Sequence, residues 1–217
     1  MDAILLLSVL LFSIVVHEVS QAWQARREGD PTAERLGRIT LNPISHLDPV
    51  GSFIVPLVLH VSGSGFIFGW AKPVPVDPRN YRDPKWGDIR VSLAGIASNL
   101  MLACGFTVAG AVLYRAEVWV GPLAGVVPAL QQMMVYGIFI NLILAFFNLI
   151  PIPPLDGSHV LYHLLPEKLR PGYRRAGRYG LLVLMGLFFL VPGMFRFLLW
   201  PVTFFMGAAD AFIRLWI

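Results

Sequence analysis

The chain has 217 residues, of which 56% are hydrophobic and 14% charged. Soluble domains carry about a quarter of charged residues, so this balance, with a mean hydropathy of +0.67, excludes an ordinary soluble protein. It points to an all-α, multi-pass membrane protein of one domain, residues 1–217, built as a helix bundle. The net charge of +4 reads as basic loops on the cytoplasmic side of a membrane rather than as a nucleic-acid footprint. A single cysteine, Cys104, excludes an internal disulfide framework and any CxxC metal site.

The first apolar stretch, 3–25, lacks a basic leader and a small-residue cleavage site, and His17 and Glu18 interrupt it. It is expected to be a retained helix rather than a signal peptide. Further spans are expected at 89–114, 130–150 and 179–200, each long enough to cross about 30 Å of hydrocarbon at 1.5 Å per residue. Pro192 and Pro201 leave the last boundary open, and 201–217 reads either as a further span or as an interfacial helix.

The segment "GSFIVPLVLHVSGSGFIFGW", 51–70, is apolar but carries Pro56, His60 and several glycines. Basic residues follow the first span (Arg26, Arg27, Arg35, Arg38), this segment (Lys72, Arg79, Arg82, Lys85, Arg90) and the third span (Lys168, Arg170, Arg174, Arg175, Arg178). Placing all three loops in the cytoplasm requires 51–70 to enter and leave on one side, with the N-terminus outside. A membrane-re-entrant β or loop element is therefore expected after the first helix, a full span being the alternative. The alternation in "GRITLNP" favours strands or hairpins. Irregular backbone survives at membrane depth only where protein or a wet cavity satisfies it.

Two stretches could carry chemistry. In "HEVSQ", His17 and Gln21 share one helix face and Glu18 is adjacent to it. H-E-x-x-H places two histidine metal ligands at that spacing, with the glutamate accepting a proton from metal-bound water. The competing reading is a polar contact between packed helices. In "FNLIPIPPLDGSHV", Asn148 precedes Pro151, Pro153 and Pro154, which forbid a regular helix. Asp156 then reads either as the N-cap of the next helix or as a carboxylate delivered to a polar cavity, able to complete a zinc site with helix-borne ligands.

"HEVSQAW", "GDPTAERLGRITLNPISHLDPVGS", "FGWAKPVPVDPRN", "SLAGIASN" and "FNLIPIPPLDGSHVL" occur in an order that resembles the site-2 protease family of intramembrane zinc metalloproteases. The resemblance covers about residues 10–165, with C-terminal helices expected over 179–217. It implies a helix bundle holding zinc within a cell membrane, with metal ligands at His17 and Asp156 and Glu18 as general base. It also implies that Asn99 and Asn148 are polar residues near the site, contacting substrate backbone or the developing oxyanion. For Asn99 the competing role is a hydrogen bond between helices. The implied substrates are transmembrane or signal-peptide-like segments of other membrane proteins, with extended segments such as "AKPVPVDPRNYRDP" pairing with them as an added strand.

The sequence departs from the family at two positions. Ile96 stands in "GIASN" where the family commonly has proline, and Gln21 stands where the family has the second histidine. Three outcomes follow for Gln21. It ligates weakly through its amide oxygen, His46 of "NPISHLDP" substitutes, or metal binding is lost and a non-cleaving relative remains that binds transmembrane segments. An ion-conducting transporter lining its path with His, Glu and Asp is a further alternative, for which no inverted repeat is evident. His159 and His163 form another i, i+4 pair, read as part of an amphipathic helix at the membrane edge. His60 is given no role.

Overall fold

A computed structural model describes residues 2–48, 72–116 and 125–215, with positions 50, 54, 57, 58 and 61. The expected re-entrant element at 51–70 lies almost entirely outside these residues. Among the described residues the fold is helical: α1 (Asp2–Glu28), α2 (Thr32–Arg35), α3 (Pro84–Ala116), α4 (Val127–Asn148), α5 (Gly157–Leu164), α6 (Arg170–Ala176), α7 (Gly180–Leu190) and α8 (Met194–Arg214). Single 3-10 turns occur at Pro43–His46 and Pro78–Asn80. The alternating stretch 37–43 forms no strand but a turn leading into the first of these. Arg38 Nη2 donates there to the Lys72 carbonyl at 2.8 Å.

Four helices are long and apolar enough to cross a membrane: Ile4–Glu28, Pro84–Arg115, Val127–Asn148 and Met194–Arg214. The first three correspond to the spans expected from sequence. The fourth does not. The stretch 179–200 is broken between α7 and α8, and α7, with 11 residues, is only about 16 Å long at 1.5 Å per residue. Val191 adopts an extended conformation, as residues before proline do. Gly193 then takes φ +83° at the start of α8. Pro201, the other suspected boundary, lies inside α8.

α1 packs on α3 and α4, and α8 packs on the same two helices. Small residues permit the approach. A Cβ at Gly137 of α4 would collide with the Phe106 ring of α3. Ala103, Ala111, Ile138, Leu142, Val202, Ala209 and Ile213 form the core shared by α3, α4 and α8. Van der Waals contact between small residues is the expected driving force where lipid is as apolar as the side chains. Ile4, Leu7, Phe12, Met101, Val108, Val112, Phe197 and Phe204 point outward from these helices, which suits contact with acyl chains.

Beyond α1, the chain is tied to α3 by charge and by backbone. Gly29 ends α1 with φ +114°. Gly29 N–H donates to the Arg26 carbonyl and Asp30 N–H to that of Ala25, the bond pair of a Schellman cap. Glu28 takes a two-pronged bond from Arg90 of α3, with Nε and Nη2 each at 2.7 Å. Asp30, fully buried, accepts from Thr32 N (3.1 Å), Asp77 N (2.7 Å) and Asn80 Nδ2 (2.9 Å). It thereby staples the end of α1 to the segment 72–80. Burial alone would push its carboxyl up, but these donors hold it below the usual carboxylate range.

A lowered folded-state pKa stabilises the fold fully above the ordinary aspartate value of about 3.9. That contribution disappears as pH falls through the lower folded value. Amide exchange over 30–40 and 76–80, corrected for intrinsic rates, should therefore stay slow at neutral pH and rise only in strong acid. Asp30→Ala should speed it at neutral pH, by an amount corresponding to roughly 2 kcal/mol or more for lost charge-assisted hydrogen bonds, and the variant and parent should converge in strong acid. Equal exchange in the variant and the parent at neutral pH would show that the staple does not hold the loop.

Candidate active site within the helix bundle

His17 lies midway along α1 and is 7% exposed. Its Nδ1 lies 2.6 Å from Oδ1 of Asn99 on α3. The Asn99 amide is oriented in turn: its Nδ2 donates to Asn141 Oδ1 of α4 at 2.8 Å. Asn141 Nδ2 donates to Ser13 Oγ and to the Gly137 carbonyl, each at 2.8 Å. Asn99, Asn141 and Ser13 are completely buried. In this network Asn99 Oδ1 is an acceptor, so Nδ1 of His17 carries the proton and the Nε2 lone pair faces the other way. Gly95, one turn before Asn99, makes room for the ring; a Cβ there would lie 2.5 Å from the imidazole.

The Nε2 atom faces Asp156 Oδ2 at 3.0 Å. Asp156 comes from the break after α4, where Leu149–Leu155 forms turns before α5 begins. The two readings of Asp156 are resolved locally. It occupies the N-cap position of α5, but its side chain makes no capping bond. Instead Oδ1 accepts from Gln21 Nε2 at 2.8 Å. Gly157 permits this turn, since a Cβ would strike the Leu149 carbonyl. The Gln21 amide also approaches His17 Nε2 at 3.2 Å. A ring lone pair and a carboxylate oxygen 3.0 Å apart need a proton or a cation between them, and the Gln21 side chain is the third group at that point.

Glu18, partly buried on the next flank of α1, accepts at Oε2 from the Val74 N–H at 2.7 Å. Val74 belongs to the segment 72–77, pinned at one end by Lys72 N–H on the His46 carbonyl (2.9 Å) and at the other by Asp77 N–H on Asp30. Pro73 and Pro75 flank Val74 and have no amide to offer.

The remaining sequence candidates are bonded to other partners. Asn148 donates to the Leu144 carbonyl of its own helix at 2.9 Å. Asn141, two turns earlier, is the α4 residue joined to His17 through Asn99. His46 is fully buried; its Nε2 donates to the Thr40 carbonyl at 2.9 Å, and its Nδ1 has no hydrogen-bond partner among the described residues. His159 and His163 both meet Asp88. Among the described residues, no group of three or more His, Cys, Asp or Glu side chains is arranged to hold a metal. His17 Nε2 and the Asp156 carboxylate face each other, with the Gln21 amide beside them. Asn141, Ser13 and Gly95 escaped sequence reasoning. Asn141 was visible as an amide in the middle of an apolar span, which is a signal in its own right.

Histidine and carboxylates brought together among membrane-spanning helices, with one carboxylate delivered by a proline-broken turn, are the side chains that an intramembrane metalloprotease uses. The chain belongs to peptidase family M50, whose family model matches residues 5–191. It is 39% identical over 198 residues to "Putative zinc metalloprotease YwhC" of Bacillus subtilis, covering 91% of this chain and 84% of that protein. It is 32% identical over 202 residues to "Putative zinc metalloprotease Rip2" of Mycolicibacterium smegmatis, covering 89% and 69%. The protein of the same name from Mycobacterium tuberculosis is 30% identical over 188 residues, covering 84% and 65%. No solved structure matches the chain at a significant level.

Enlarging Gly95 tests how closely His17 is held. Gly95→Ala should lower the unfolding temperature of the detergent-purified protein by several degrees, because overfilling a packed interior typically costs about 1–3 kcal/mol. Gly105→Ala, on the same helix where a Cβ meets open space, should not lower it. A melting curve for Gly95→Ala no lower than that of Gly105→Ala would mean that the ring is not confined there.

Proposed function

We propose that this chain is a zinc endopeptidase of the cell membrane that cleaves transmembrane or signal-peptide-like segments of other membrane proteins, as a single domain spanning residues 1–217. The observation carrying this reading is His17 Nε2 facing the Asp156 carboxylate at 3.0 Å, with the Gln21 amide 3.2 Å from the same nitrogen. Ligands about 2.0 Å from a tetrahedral zinc lie about 3.3 Å from one another, so these spacings fit three donors around one ion. His17 and Asp156 would hold it strongly. Gln21 would contribute its amide oxygen, a weaker neutral donor, after the amide turns over. Bound there, zinc supplies Lewis acidity at the scissile carbonyl and a water of lowered pKa.

The chain's own residues do the rest. Asn99 holds His17 in one tautomer and one ring orientation, as a partner behind a metal-binding histidine does. Glu18, fixed at one oxygen by the Val74 amide, accepts a proton from the attacking water and returns it to the leaving amine. The buried asparagines and Ser13 maintain polarity at a depth where lipid provides none. A non-cleaving relative that binds membrane segments is the second reading. It is favoured by Gln21, which stands where the family has a histidine ligand and donates to Asp156.

Three measurements separate the readings. Purified protein should contain about one zinc per chain, released by chelator with the helical fold retained. Glu18→Gln should slow cleavage of a membrane-segment substrate in proteoliposomes by roughly 10²–10⁴-fold while keeping the metal. Gln21→His should tighten zinc binding. A well-folded chain that takes up no zinc under saturating conditions would favour the binder, and unchanged cleavage by Glu18→Gln would refute the assignment of the base.

A further inference from the structure

Asp156 reaches His17 from outside the three packed spans, so something must fix the position of the short helix that follows it. α5 has eight residues, and an isolated helix of that length is not stable in water. It docks against α3. The polar link is Asp88, in the second turn of α3 and 8% exposed. Asp88 Oδ2 accepts from His159 Nδ1 at 3.2 Å and from His163 Nε2 at 2.9 Å. These histidines lie one turn apart on one face of α5. A cavity of about 420 Å³ opens beside them, lined in part by Pro153, Pro154, Tyr162 and Tyr173. Those two hydrogen bonds are the polar contact of α5 with α3, and on its other side α5 is held by Tyr173, whose hydroxyl donates to the Ser158 carbonyl at 3.3 Å and to that of Pro151 at 2.9 Å.

The same helix orients the other half of the site. Asp88 and Asn99 are eleven residues apart in sequence, about three full turns, and so project from one face of α3. Asn99 holds His17 on α1, and Asp88 holds α5, which Asp156 immediately precedes, three residues before His159. We infer that Asp88 is a positioning residue: through His159 and His163 it locks α5 onto α3 and sets Asp156 at ligating distance from His17. This rests on the proposed metal role of His17 and Asp156.

Hydrogen exchange over α5 and zinc titration, both on the full-length protein, test it. Asp88→Ala should speed exchange across 156–164 in metal-free protein while α4 stays protected. It should also weaken zinc binding roughly 10–100-fold, the usual loss when a supporting group behind a ligand is removed. His163→Gln should reproduce most of this effect, since His163 is the more buried arm, with a side chain 12% exposed against 51% for His159. Adding His159→Gln should bring the double variant level with Asp88→Ala. Asp88→Asn, which keeps an acceptor oxygen, should recover part of the zinc affinity. These variants also protect the test against a failure of Asp88→Ala to fold. A role confined to stability would lower the melting temperature and leave zinc affinity unchanged, and that result overturns the inference, as does unaltered α5 exchange. Failure of the parent protein to bind zinc would sink the metal reading instead. Asp88 would then be judged on whether its loss frees α5, an outcome read without any metal.

Discussion

Both nitrogens of the His17 ring are engaged by residues from other parts of the chain: Asn99 at Nδ1 and Asp156 at Nε2. Within a bilayer neither water nor lipid can satisfy such a ring, so its partners must be built in. That requirement shapes the rest of the bundle. α3 must run close enough for Asn99 to reach α1, which Gly95 permits by leaving the ring its space. α4 must bring Asn141 to orient the Asn99 amide and then stop, so that the chain can turn back with Asp156. A polar chain from Ser13 through Asn141 and Asn99 to His17 thus connects all three helices.

The second constraint is the scarcity of backbone donors in 72–78. Three prolines among seven residues leave four amides, and three of these have a defined use. Lys72 bonds the turn at His46, Val74 bonds Glu18, and Asp77 bonds Asp30. The loop is therefore not draped over the bundle but fastened at points that include the proposed base. The buried Asp30 carboxylate and the Glu28–Arg90 pair hold the same region against the ends of α1 and α3. Local stability there and the orientation of Glu18 are set by the same few bonds.

Much of this was legible before any fold was known, for physical reasons. Three spans could be read because long apolar runs at membrane depth have one stable backbone solution. The stretch after 179 was harder, since it is apolar throughout. Two prolines competed as its boundary, and the one followed by a left-handed glycine broke the helix while Pro201 was absorbed within α8. The ring of His17 and the carboxylate of Asp156 lie 139 positions apart. Only the ordered motifs between them suggested that they meet. Asn148 drew attention because it adjoins the proline break, yet Asn141 faces the interior, and helical phase alone does not tell which face of a wholly apolar helix is buried. His159 and His163 read as an amphipathic surface because their acidic partner sits on another helix and in another motif.

The proline spacing around Val74 has a further chemical consequence. Positions 73, 75 and 78 have no N–H, and those of 72, 74 and 77 are already bonded within the chain. Val76 aside, this strip of backbone has acceptors only, and the carbonyls of Lys72, Pro73, Asp77 and Pro78 already accept within the chain. A polypeptide lying along it would have to supply the donors itself, and would find carbonyl oxygens rather than the alternating pattern of a strand. Selectivity at such an edge would be written in the partner's own amides: a proline at a pairing position would remove one of the few bonds that the edge can make.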